Sequence, residues 1–171
     1  MVDKNRRGLF KKALNPLMKE EKEVEEKLLI RPPYNLDPSL FHNECPECED
    51  KPCVASCGEE IIKVAEDGSV YLDFSKSGCE FCDDCAKACE RGVLSLENPS
   101  KIFAVAEINV ISCMAWHQTI CYSCKDVCLD DAITFTGLFN PEVDFDKCTG
   151  CGFCYGVCPT RAITMKERGE I

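Results

Sequence analysis

Cys148-Thr149-Gly150-Cys151-Gly152-Phe153-Cys154-Tyr155-Gly156-Val157-Cys158-Pro159 is the stretch that decides how this chain folds. Its spacing, C-x2-C-x2-C-x3-C followed by proline, puts four thiolates into one short loop. Such a run does not easily share a single tetrahedral zinc, but its first three thiolates can each take an iron corner of a 4Fe-4S cubane. In the bacterial ferredoxin pattern the fourth cysteine ligates the other cluster. Two runs of this kind therefore make two clusters and cross-link each other.

Working outward from this stretch, the same spacing recurs at Cys79, Cys82, Cys85 and Cys89, with Glu90 where the proline stood. Cys45, Cys48, Cys53 and Cys57 follow C-x2-C-x4-C-x3-C, and Cys113, Cys121, Cys124 and Cys128 follow C-x7-C-x2-C-x3-C. None of the 16 cysteines is left over. Three residues after each fourth cysteine comes a β-prone stretch: Ile61 to Val64, Val93 to Leu96, Ala132 to Phe135 and Ala162 to Met165. The last cysteines recur every 30 to 39 residues, a period that marks a tandem unit of metal loop, helical turn and strand. Ile61 to Ala65 and Val70 to Phe74 flank an Asp67-Gly68 turn signal and read as a hairpin. Ala132 to Thr136 and Val143 to Phe145 flank a Gly-Leu-Phe-Asn-Pro loop in the same way.

The expected fold is α+β, with two tandem bacterial-ferredoxin-like modules, each carrying two 4Fe-4S clusters, at residues 41–104 and 105–171. A charged N-terminal arm, residues 1–40, precedes them. Ligand crossing within each module gives four expected sets. Cys45, Cys48, Cys53 and Cys89 hold the first cluster, and Cys79, Cys82, Cys85 and Cys57 the second. Cys113, Cys121, Cys124 and Cys158 hold the third, and Cys148, Cys151, Cys154 and Cys128 the fourth. A disulfide framework does not require four related spacings, and zinc ribbons need paired C-x2-C knuckles separated by longer loops. His117 in the long interval reads as a loop residue, and Trp116 as cover over a cluster or a core residue.

Apolar residues are 45% of the 171 only because 16 of them are cysteines. Aliphatic packing alone is thin, so metal attachment and folding should be coupled. No apolar run reaches the roughly 20 residues of a membrane span. Residues 1–31 hold nine Lys and Arg against six Asp and Glu, whereas residues 32–171 hold eleven against twenty-four. An acidic body repels a phosphate backbone, which disfavours nucleic acid as a partner, and suits a basic protein surface. Asn5-Arg6-Arg7-Gly8-Leu9-Phe10 has the start of a twin-arginine signal but no apolar stretch after it. Residues 9–30 read as a charged helix that ends at Arg31-Pro32-Pro33. Arg6, Arg7, Lys11 and Lys12 are the candidate partner-binding residues, against the plainer reading of a solvated face. No acid and base pair round a pocket suggests catalysis, so an electron carrier rather than an enzyme is expected.

The chain resembles the NapF family, ferredoxin-type accessory proteins of the periplasmic nitrate reductase system. The resemblance runs nearly end to end: Arg6-Arg7-Gly8-Leu9, Arg31-Pro32-Pro33-Tyr34, Phe41 and the four cysteine groups. Its most specific piece is the third group, with Cys113-Met114-Ala115-Trp116-His117-Gln118. One departure is the Glu49-Asp50-Lys51-Pro52 interval in the first group, which is two residues longer than the family's. The resemblance implies a cytoplasmic protein with four 4Fe-4S clusters that meets the molybdenum-containing catalytic subunit before export and assists its maturation. Two other classes stay open on the residues alone: a polyferredoxin electron-transfer subunit of another oxidoreductase complex, and a structural metal scaffold.

Overall fold

Glu60, Gly92, Asp131 and Arg161 each stand three residues beyond the last cysteine of a group, and all four have left-handed backbones, with φ of 54°, 70°, 49° and 52°. In a computed structural model that describes residues 29–169, each of their N–H groups returns to that cysteine's carbonyl, at 3.0, 3.4, 3.3 and 3.1 Å. Glycine adopts this geometry freely, while other residues give up about 1–2 kcal/mol to do so. The turn re-aims the chain, and the residue that follows, Ile61, Val93, Ala132 or Ala162, is buried.

Ahead of each turn lies a very short helix: α2 at Pro52–Ala55, α3 at Asp84–Lys87, α4 at Ser123–Asp126 and α5 at Phe153–Val157, with α1 at Ser39–Asn43 before the first group. Pro52 opens α2, where the missing N–H has no intrahelical partner to lose. Helices of four or five residues have no stability of their own. Each of α2 to α5 carries the third cysteine of its group, so tertiary attachment has to hold them.

Three two-stranded antiparallel sheets complete the fold. The strands β1 (Ile62–Val64) and β2 (Val70–Leu72) pair across Gly68, whose φ is +80°, and Asp67 accepts the Ser69 N–H at 2.9 Å and its hydroxyl at 2.6 Å. This is the hairpin expected from Asp67-Gly68. The strands β4 (Ile133–Thr136) and β5 (Phe139–Val143) pair with a shift between Phe135 and Thr136. Here the expected five-residue loop is mostly strand, and the chain reverses at Gly137-Leu138. β3 (Ala104–Ile108) pairs with β6 (Ile163–Glu167), placing Ala106 opposite Met165.

Further sequence expectations differ from the structure. β3 lies in a segment read as a module boundary, because a strand that pairs with one nearly sixty residues away carries no local turn signal. The residue 104/105 boundary therefore falls inside a strand. Val93 to Leu96 forms no ladder: Val93 and Leu94 are buried, the Ser95 N–H donates to the Tyr34 carbonyl at 2.9 Å, and the Asn35 side-chain amide donates to the Val93 carbonyl at 2.6 Å. The described end of the expected arm also belongs to the core, since Ile30, Tyr34 and Asn35 are buried and the Ile30 carbonyl accepts the Leu72 N–H at 2.7 Å. The expected helix over 9–30 lies outside the described residues except at Leu29 and Ile30, which are not helical.

The buried side chains form two unequal groups. The first gathers Phe41, Ile61, Ile62, Val70, Leu72, Phe74, Val93 and Ile102 around β1 and β2. The second is smaller and gathers Ala106, Ile133, Cys154 and Ile163. At about 1.5–3 kcal/mol per buried aliphatic side chain, this second core is too small to order its loops by itself. Among the described residues no helix is long and apolar enough to cross a membrane.

Candidate metal centres

Four cavities open between the cysteine loops. Cys45, Cys48, Cys53 and Cys89 line the first, and Cys57, Cys79, Cys82 and Cys85 line the second. Cys113, Cys121, Cys124 and Cys158 line the third, and Cys128, Cys148, Cys151 and Cys154 the fourth. Each cavity thus takes three cysteines from one group and the last cysteine of another, the same four sets drawn from the spacing. All sixteen are free thiols.

The crossing follows from the local backbone. The first two cysteines of a group lie on a loop, the third on the short helix, and the fourth just beyond the helix end, where it lines the cavity of the paired group. The longer interval of the first group does not disturb this order. Lys51, two residues before Cys53, is left-handed with φ +43°, as are Asp83 before Cys85 (+67°) and Gly152 before Cys154 (+83°). The two extra residues are absorbed ahead of that point. In the third group the corresponding Tyr122 has φ −117°, and the long interval forms a 3-10 turn, Met114–His117.

The donor set is uniform: every cavity presents four sulfurs. Backbone N–H groups point at several of them, with Phe81 on Cys79 and Leu94 on Cys89 at 3.4 Å, and Ala162 on Cys158 at 3.2 Å. Among the described residues, no three His, Cys, Asp or Glu side chains stand close enough to share one metal ion. Four thiols around a common space, spread wider than a single-ion site, fit a cubane with one iron per thiolate. Burial pushes the thiols up, Cys53 and Cys79 to about 11 and Cys85 to about 12, with neighbouring thiols adding to the rise. Cys124 rises to about 11 for the same two reasons. Crowded, desolvated thiolates are costly as free anions, and bound iron offsets that cost while displacing their protons.

The charge around the cavities is uneven. Glu59, Glu80, Asp83 and Asp84 line the second, and Asp130 the fourth. The first is lined by Lys51, Glu90 and Arg91. Sequence reasoning attached no role to Lys51, Tyr34 or Asp83. Tyr34, buried on the wall of the second cavity, donates to the Phe81 carbonyl at 3.0 Å and to the Asp83 carboxylate. Burial, and then that carboxylate, push its phenol well above the ordinary range. The only sequence signal at Asp83 was its place ahead of the third cysteine, where glycine stands in the last group. His117 lies off the third cavity, its Nε2 at 2.8 Å from the Ile111 carbonyl, and the Trp116 indole donates to the Pro141 carbonyl at 3.2 Å. The candidate partner residues Arg6, Arg7, Lys11 and Lys12 lie outside the described residues.

The cavities follow one another through the molecule. The helices that carry the third cysteines pack in pairs, α2 on α3 and α4 on α5, which sets the first cavity beside the second and the third beside the fourth. Second and fourth meet where the Cys79 N–H donates to the Cys151 carbonyl at 2.7 Å.

A family model described as a 4Fe-4S binding domain matches residues 141–164, the stretch that holds Cys148, Cys151, Cys154 and Cys158. The ferredoxin-type protein NapF of Haemophilus influenzae is 32% identical over 81% of this chain and 79% of its own length. The chain belongs to the NapF family of ferredoxin-type proteins. NapF of Escherichia coli K12 is 29% identical over 96% of both chains. The methylamine utilization ferredoxin-type protein MauM of Methylorubrum extorquens is 31% identical over 85% of this chain and 74% of its own. As a NapF-family member, the chain is an iron-sulfur electron-transfer protein.

Proposed function

We propose that the chain consists of two tandem bacterial-ferredoxin-like modules behind a charged N-terminal arm, and that each of its four cavities holds one 4Fe-4S cluster through the crossed cysteine sets. The observation that carries this reading is the lining of each cavity by four thiols drawn from two groups. When bound, such clusters supply one-electron storage. The chain's own residues fix the sulfurs, exclude water with Ile61, Val70, Val93 and Ile163, and donate backbone N–H bonds to the thiolates.

The protein works in the cytoplasm as an accessory to the molybdenum-containing catalytic subunit of a periplasmic nitrate reductase, assisting its maturation before export. Support for the client comes from the family. Support for the redox role comes from the contiguity of the four cavities, which lets an electron cross the body. A second reading, an electron-transfer subunit of another oxidoreductase complex, is favoured by the likeness to a methylamine utilization protein. Affinity capture with the anaerobically reconstituted chain, from cells that express the nitrate reductase precursor, tests the choice. Recovery of the precursor supports the first reading, and recovery of a different oxidoreductase in its place overturns it.

A further inference from the structure

Lys51 occupies a backbone position that a lysine does not enter for its own sake. Its φ of +43° and ψ of +60° are left-handed, in the place where the last group uses Gly152. An L-residue with a long side chain gives up about 1–2 kcal/mol there, and such outliers point to a retained role for the side chain. That side chain turns back over its own loop. The ammonium Nζ donates to the Cys45 carbonyl at 2.7 Å and to the Cys48 carbonyl at 2.8 Å, in partly buried surroundings on the wall of the first cavity.

The other charges at this cavity differ in kind. Arg91 is engaged by Glu44 at 3.8 Å and Glu47 at 3.4 Å, and donates to the Glu47 carbonyl. Glu90 is exposed to solvent. Lys51 has no ion-pair partner among the described residues, and its hydrogens are spent on neutral carbonyls, so its charge is not cancelled locally. Among the described residues, the second, third and fourth cavities have no cationic lining, and the second is walled by Glu59, Glu80, Asp83 and Asp84.

We infer that Lys51 makes the first cavity the most easily reduced of the four centres, the place where an electron entering the protein comes to rest. The inference rests on the four-cluster reading proposed above. Reduction adds one electron to the centre with no proton or bond change, so the site becomes more negative by one charge. An ammonium fixed on the carbonyls of Cys45 and Cys48 in the cavity wall favours that state, whereas the four carboxylates of the second cavity disfavour it. The first cavity stands at one end of the series of four, so an electron held there is away from the junction between the halves at Cys79 and Cys151.

The test uses the full-length protein, anaerobically reconstituted, as wild type, Lys51→Gln and Lys51→Arg. Iron and sulfide are counted on each sample, and the centres are then titrated with dithionite under potentiometric control and read by electron paramagnetic resonance. Glutamine keeps a donor and loses the charge, while arginine keeps the charge. The expected result is full iron in all three. In the glutamine variant the highest-potential centre becomes at least tenfold harder to reduce, a fall of 59 mV for a one-electron couple, and the other three are unmoved. Arginine should keep the wild-type value within about threefold. Unchanged potentials in a fully loaded glutamine variant, or a shift in a different centre, would overturn the assignment. Loss of about four irons from the glutamine variant alone would give Lys51 a structural role and overturn it too. A wild-type chain that binds no iron would instead bring down the four-cluster reading, and this inference with it.

Discussion

The N–H of Cys79 donates to the carbonyl of Cys151 at 2.7 Å, joining a cysteine of the second cavity to one of the fourth through a single backbone bond. The approach is possible because Gly78 has no side chain. A Cβ there would sit 2.6 Å from both the Phe153 Cγ and its backbone nitrogen, and 2.8 Å from the Cys151 carbonyl. Gly152 similarly lies against the Phe74 ring. The halves of the molecule are therefore locked at the point where an electron would pass between them.

Replacing Gly78 by alanine should destabilise the loaded protein by about 1–3 kcal/mol through overpacking against backbone that cannot retreat. Gly169→Ala, with nothing within 4 Å of the added methyl, serves as the control and should change little. Thermal unfolding midpoints under anaerobic conditions make the comparison. Equal midpoints for the two variants would show that the junction is looser than its geometry.

Cysteine pairs should lose iron in a pattern set by the crossing. Cys113 and Cys158 line one cavity, so Cys113→Ser with Cys158→Ser should cost about four irons, as one cluster. Cys148 and Cys158 line two cavities, so their double variant should cost about eight. If the second pair lost only four, each group would be holding its own cluster.

Tyr34→Phe removes a buried hydroxyl that serves the Phe81 carbonyl and the Asp83 carboxylate, leaving a backbone acceptor without its donor. The expected loss is about 1–3 kcal/mol. It should appear as a lower unfolding midpoint and as faster release of about a quarter of the iron to a chelator, because both acceptors lie on the wall of the second cavity alone. Uniform release from all centres would separate Tyr34 from that site.

Removing residues 1–28 should leave the iron content intact, since Ile30, Arg31 and Tyr34 stay in place. Arg31 donates to the Ser69 hydroxyl at 2.8 Å and the Val70 carbonyl at 2.7 Å. A deletion through residue 36 should lose iron. If the basic stretch docks the client, the shorter deletion should weaken capture of nitrate reductase precursor most at low salt, where exposed charges are least screened. Equal capture with and without residues 1–28 would return them to a solvated tail.

Chelation of iron should loosen residues 105–169 before residues 30–104. The second buried group has four residues, while the first is anchored by Phe41, Ile61, Ile102 and Val70, each nearly inaccessible. Amide hydrogen exchange after partial chelation reads the order. Protection lost first in β1 and β2 would reverse it.

Much of the candidate site was legible because its information is local. Thiol spacing within a dozen residues selects the metal chemistry, and the Asp67-Gly68 pair marks its own hairpin. That each cavity takes the last cysteine of another group was readable from the ferredoxin pattern, in which the fourth cysteine serves the neighbouring site. Lys51 and Tyr34 were not legible in that way. A left-handed lysine resembles any other surface lysine in sequence, and a tyrosine 49 residues from Asp83 carries no mark of what it will touch.

The sequence by itself determined the four thiol groups, the Asp67-Gly68 hairpin and the thinness of the aliphatic core, because these depend on spacing, turn chemistry and composition. Tertiary structure alone decided that β3 forms at all, since Ala104 to Ile108 has its partner at Ile163 to Glu167 and no ladder without it. It also decided that Val93 to Leu96 stays out of a ladder, and that the second and fourth cavities meet at Cys79 and Cys151. The physical reason is that pairing, burial and charge act through space between distant residues, whereas spacing and turn chemistry act along the chain.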